Sequence, residues 1–147
     1  MGFKDLPRGW AERPITDPDI FEDVVDLVAS EQSRREGAVY LLLTHPDGRM
    51  LQPLAIHDVP PGAPGVDDAH RWRAALDELA QHGACSLVVV RARRGPAERT
   101  PDVDALFGVL AAAAEAAGLD VQGQAVATPS GIVTLGPPGT EELSRPA

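Results

Sequence analysis

At 147 residues the chain has the size of one domain, and it is 44% hydrophobic but only 4% aromatic. That composition excludes a disordered chain and implies a core of Leu, Val, Ile and Ala. A formal net charge of -9, from 22 acidic against 13 basic residues, repels a phosphate backbone, so nucleic acid is not an expected partner.

Lys4 is the only lysine. An Arg-, Ala-, Gly- and Pro-rich composition of this kind points to the coding bias of a high-GC bacterium. Cys85 is the only cysteine, which leaves no internal disulfide and no Cys-based zinc site. It opens an apolar run and reads as a small core residue. Met1 to Trp10 lacks the apolar centre of a signal peptide, and no apolar run approaches membrane-spanning length. A cytoplasmic chain without a membrane partner is expected.

Residues 1–16 read as an arm anchored by Phe3, Leu6 and Trp10. Asp17 and Pro18 are suited to start a helix. Ile20, Val24, Leu27 and Val28 follow at helical spacing, and this helix ends through Ser30–Glu36 at Gly37. Ala38 to Thr44 predicts a strand, His45-Pro46-Asp47-Gly48 a turn, and Met50 to Ile56 a returning strand. Pro53 restricts that second strand to a sheet edge or a bulge. A Pro/Gly loop covers Asp58 to Gly65, and a helix runs from about Asp67 to His82 with Trp72, Leu76 and Leu79 as its apolar stripe.

Ser86 to Val90 is a continuous apolar run, as in a strand covered on both faces. Arg91 to Arg99 reads as a basic loop. Thr100 then caps a third helix, with Pro101 at its first position and Asp102 near its positive end. Gly118 closes that helix, and Val121 to Thr128 and Gly131 to Leu135 form a final hairpin. The expectation is α/β: a mixed sheet of about five strands with three helices packed on it, in the order α-β-β-α-β-α-β-β. Residues 17–135 make the domain, and 136–147 a disordered tail.

The four histidines do not combine into a metal site. His70 and His82 share one predicted helix but lie roughly 18 Å apart along its axis and about 120° around it. His45 falls in a turn and His57 at a strand end, both as surface residues. No HExxH, Gly-rich phosphate loop or GxSxG is present.

The most informative segment is Val88-Val89-Val90-Arg91-Ala92-Arg93-Arg94-Gly95-Pro96, continuing through Arg99-Thr100-Pro101-Asp102-Val103-Asp104. A strand ends in alternating basic residues, crosses a Gly/Pro loop and enters a helix with an aspartate in its first turn. This resembles the JAB/JAMM (MPN) metalloprotease superfamily, in particular its RadC-like branch, over residues 20–135. In that family the strand ends in His-x-His and the helix begins with Ser-x-x-Asp. The two histidines and the aspartate bind zinc, and a glutamate before the first strand is the general acid/base.

The resemblance places Arg91 and Arg93 on the histidine positions, Asp104 on the aspartate, Pro101 on the serine and Glu36 on the glutamate. Guanidinium has no acceptor lone pair and stays charged, so it cannot replace a zinc-binding imidazole. The resemblance therefore implies a JAB/MPN-like fold without metal, cofactor or peptidase chemistry. A cytidine-deaminase-like layout has a similar order of elements, but its Pro-Cys-x-x-Cys zinc set is missing.

Two functions follow as expectations. One is a non-catalytic binding or scaffold module, with a protein partner or a second copy of the chain. The other is an enzyme or sensor that weakly binds a small anion at the Arg91–Asp104 edge, using Arg91, Arg93, Arg94 and Arg99 beside the helix N-terminus, with Glu36 and Asp104 close by. With arginine at the ligand positions, elemental analysis of the purified chain is expected to find zinc far below stoichiometry. About one zinc per chain overturns that reading.

Overall fold

The structure, a computed structural model, describes residues 6–60, 62 and 64–138. Phe3 and most of the predicted tail, 139–147, lie outside the described residues. The five strands are β1 (Ala38–Thr44), β2 (Met50–His57), β3 (Ser86–Ala92), β4 (Asp120–Thr128) and β5 (Gly131–Leu135). They form one mixed sheet in the order β2-β1-β3-β4-β5. β1 runs antiparallel to β2 and β3, and β5 antiparallel to β4. The parallel pair β3–β4 is joined by a helical crossover, the connection that parallel neighbours require.

Among the described residues four α-helices accompany the sheet: α1 (Phe21–Val28), α2 (Glu31–Glu36), α3 (Val66–Gln81) and α4 (Pro101–Ala117). The predicted first helix is thus two. Residues 17–20 form a turn in which Asp17 Oδ1 accepts from the Asp19 N–H, instead of the first helical turn. Ser30 then caps a new helix, its Oγ accepting from the Ser33 N–H at 3.1 Å. A cap residue inside a periodic run divides it, because the hydroxyl satisfies a donor that a continuing helix would bond itself.

Alternate residues of the central strands face opposite layers. Val39, Leu41, Leu43, Leu87 and Val89 pack with α4 and with Leu76 of α3. Tyr40, Leu42, Val88 and Val90 pack with α1 and with Ile15 and Ile20 of the preceding segment. β1 and β3 are buried along their whole length, which is why both read as unbroken apolar runs. The Tyr40 hydroxyl donates to Ser33 Oγ at 2.7 Å and ties α2 to β1. In the arm, Leu6 and Trp10 pack on this layer, but the fully buried anchor is Ile15, with its N–H on Gly48 O at 2.9 Å.

β2 is an edge strand, which is how Pro53 is accommodated in register with Leu42. Cys85 departs from expectation. It lies one residue before β3 and is exposed, while Ser86 takes the first buried position. Among the described residues no helix is long and apolar enough to cross a membrane.

Gly37, between α2 and β1, has φ +94°, and a Cβ there would lie 2.5 Å from Val59 O. This close approach holds the loop after β2 against the end of the sheet, with the Val59 N–H bonded to Gly37 O at 3.3 Å. Gly9 has a similar φ of +81° with nothing within 4 Å of its virtual Cβ. Gly37→Ala is expected to cost about 2–4 kcal/mol and Gly9→Ala about 1 kcal/mol. Urea unfolding midpoints of the two variants check the difference, and equal losses remove the role given to the Val59 contact.

Candidate functional site

β3 extends two residues beyond the predicted strand, so Arg91 belongs to the sheet and not to a loop. It is in register with Val39 on β1 and Val126 on β4. Its side chain is therefore on the face that carries α3 and α4, and the residue is only 2% exposed. The guanidinium reaches the loop after β2. Nη1 donates to Ala38 O (3.3 Å), Val59 O (3.3 Å) and Ala92 O (3.4 Å), and Nη2 donates to Pro60 O at 2.9 Å.

All these acceptors are backbone carbonyls. Among the described residues no carboxylate forms an ion pair with Arg91. Carbonyls satisfy the donors but do not neutralise the charge. Burial pulls the Arg91 guanidinium below its ordinary pKa, the neighbouring Arg93 pushes the same way, and Asp102 partly opposes both. It nevertheless stays a cation at ordinary pH.

Arg91 lies in the wall of a cleft of about 370 Å³ between the β2–α3 loop and α3. Ile56, Val59, Trp72 and Leu106 supply apolar walls, and His57, Asp58, Asp68 and Arg71 add polar groups. Asp68 is partly committed, its carboxylate accepting from the Gly65 N–H at 3.1 Å before the first turn of α3.

The other sequence-predicted residues go elsewhere. Arg93 points to the same side as Arg91 but turns to the start of α4. There its Nη1 donates to Thr100 Oγ1 at 2.8 Å and to both oxygens of Asp102 at 3.0 and 2.9 Å. Thr100 holds the N-cap position without capping, because its hydroxyl donates to Asp102. The positive end of α4 thus already faces the Asp102 carboxylate, which is itself paired with a guanidinium. Arg94 Nε donates to Arg35 O at 3.0 Å. Arg99 Nε pairs with the exposed Asp104 at 2.8 Å. Glu36 is exposed and accepts from Gln32 Nε2.

Of the six predicted residues, Arg91 alone lines the cleft. The sequence reading missed Trp72 as a cleft residue, because its apolar spacing on α3 marks it equally as core, and it serves both. Arg71 and Asp68 carried no signal beyond a solvated helix face. Among the described residues no group of three or more His, Cys, Asp or Glu could hold a metal ion. Comparison with protein-family models and with curated proteins finds no match to this chain.

The Asp102 carboxyl is held below its ordinary pKa, first by the Thr100 hydroxyl and then by the Arg93 charge and hydrogen bonds, against some desolvation. A depressed folded-state value stabilises the fold above the ordinary carboxylate range, and that stability is lost as pH falls through the depressed value. Asp102→Asn is expected to cost about 1 kcal/mol at neutral pH, and the difference from wild type should shrink with acid. Urea midpoints of both proteins from neutral pH to about pH 3 check this, and a pH-independent difference contradicts it.

Proposed function

We propose that the chain is a non-catalytic ligand-binding module, with the cleft over Arg91 as its site and a small molecule bearing an anionic group as its ligand. One observation carries the reading: a buried guanidinium in the wall of a cleft, held by carbonyls and paired with no carboxylate among the described residues. Removing a cation from water costs several kcal/mol, and a nearby negative charge offsets more of that than carbonyl dipoles alone. A bound anion supplies it, which makes binding a relief of a cost that the fold already carries.

The non-catalytic part of the reading rests on residue chemistry. The described cleft residues include no Ser, Thr, Cys, Lys or Tyr, so hydroxyl, thiol and amine nucleophiles are missing there and the groups that remain are His57, Asp58 and Asp68. Descent from a JAB/MPN-type site remains part of the proposal. It is supported by the shared facing of Arg91 and Arg93 at the end of β3 and by the helix that follows. Asp104, paired with Arg99, and Glu36, paired with Gln32, take other roles in this chain. A scaffold role has its own observation, the open edge at β2 with Leu51 54% exposed.

Titration of the isotope-labelled chain with acetate and with inorganic phosphate tests the anion site by NMR. The expected outcome is amide shifts centred on Asp58, Val59, Arg91 and Trp72, with Kd on the order of 0.1–1 mM. Binding should weaken as salt rises from 0.02 to about 0.3 M, since a partly open site is screened. Shifts confined to Thr100–Asp104 return the site to the α4 N-terminus, and no shifts at either place reject an anion site.

A further inference from the structure

The donors that Arg91 still has free restrict the ligand. The carbonyls it bonds occupy Nη1 and one hydrogen of Nη2. Nε donates to no described residue. No buried side-chain nitrogen or oxygen among the described residues lacks a partner, so Nε is not fully enclosed, and the small exposure of Arg91 includes it. A guanidinium holds five N–H groups in a planar fork. What remains is the Nε–H and one Nη2–H, two donors for two oxygens of a single anionic head group.

The rest of the cleft points the same way. Ile56, Trp72 and Leu106 make its walls apolar, and the volume of about 370 Å³ is near the lower end of the range of roughly 300–1,000 Å³ that holds small ligands. Asp58 and Asp68 share the lining with Arg71 and Arg91, so the local charge nearly balances. With two guanidiniums set against two carboxylates in the lining, a second negative charge on the ligand gains little attraction and adds repulsion.

We infer that the ligand class is an amphipathic monocarboxylate, its carboxylate on the open edge of Arg91 and a single ring or short chain against Trp72 and Leu106. This rests on the anion site proposed above and specifies what else that site requires. Apolar area removed from water then supplies much of the affinity, and the guanidinium sets orientation.

The test is calorimetric titration of the full chain with 3-phenylpropionate, 3-phenylpropanol, acetate and inorganic phosphate. The expected result is that 3-phenylpropionate binds about tenfold or more tightly than each of the other three. Two variants accompany it. Ala75→Phe, at an exposed position of α3 in the cleft lining, should weaken 3-phenylpropionate about tenfold with an unchanged melting temperature. Arg91→Lys keeps the charge but loses the fork, and should weaken it similarly.

Acetate or phosphate binding as tightly as 3-phenylpropionate overturns the amphipathic class while leaving the anion site in place. Equal binding of 3-phenylpropanol removes the role of Arg91 in both readings. Unaltered affinity in Ala75→Phe moves the ligand out of this cleft, and absence of binding by all four probes rejects the inference together with the anion site. Should Arg91→Lys fail to fold, the ligand series and Ala75→Phe still decide.

Discussion

The end of the sheet depends on one buried cation. Arg91 crosses from β3 to the first carbonyl of β1 and to two carbonyls of the loop after β2. It thereby holds Val59 and Pro60 against the end of the sheet. Gly37 completes the arrangement, since a side chain there would displace Val59 O from its place beside Arg91. Loop, strand end and guanidinium form one unit, and the cleft wall is the outer side of that unit.

The surrounding architecture explains how a charge can be kept there. Val39 on β1 and Val126 on β4 flank Arg91 across the sheet, and both are fully buried. The strands that carry them are pinned between two apolar layers. Packing of that kind holds the backbone in place even though one side chain at its margin is unfavourable. The unfavourable contribution is concentrated at a position that opens to solvent through a cleft, which is where departures from local stability rules accompany function.

Much of this was legible in the sequence. β1 and β5 have the predicted bounds, because their apolar runs are limited by Gly37, Thr44 and Gly131. β2 was legible as an edge through Pro53. Three features were not. The cap at Ser30 was hidden inside an apolar period that continues across it. The end of β3 was misplaced because arginine at 91 and 93 signals solvent, whereas the carbonyls that bury Arg91 come from residues 31 and 32 positions away in the chain. Cys85 was assigned to the core from its apolar neighbours, but strand polarity puts Ser86 inside. At β3 and at Cys85 long-range geometry overrode the local signal, whereas at Ser30 one local signal overrode another.

Arg91 and Arg93 show how two equivalent residues acquire different chemistry. Alternation along β3 sends both to the same side, and in sequence nothing distinguishes them. Arg93 lies one step beyond the strand, with its N–H still bonded to Ala127 O at 3.0 Å. From there it reaches the Asp102 carboxylate at the start of α4, where the pair is 17% and 23% exposed. Its charge is neutralised within the fold. Arg91, two residues earlier, hydrogen-bonds only to carbonyls, and the opposing influence of Asp102 on it is smaller than that of burial. The spacing of two residues therefore divides the basic segment into a structural ion pair and an unpaired cation. The ion pair occupies the α4 N-terminus, which sequence patterning favours as an anion site. Under the proposed anion-binding reading, that makes Arg91 the position where an external negative charge would gain most and moves the candidate site from the edge of α4 to the cleft beside α3.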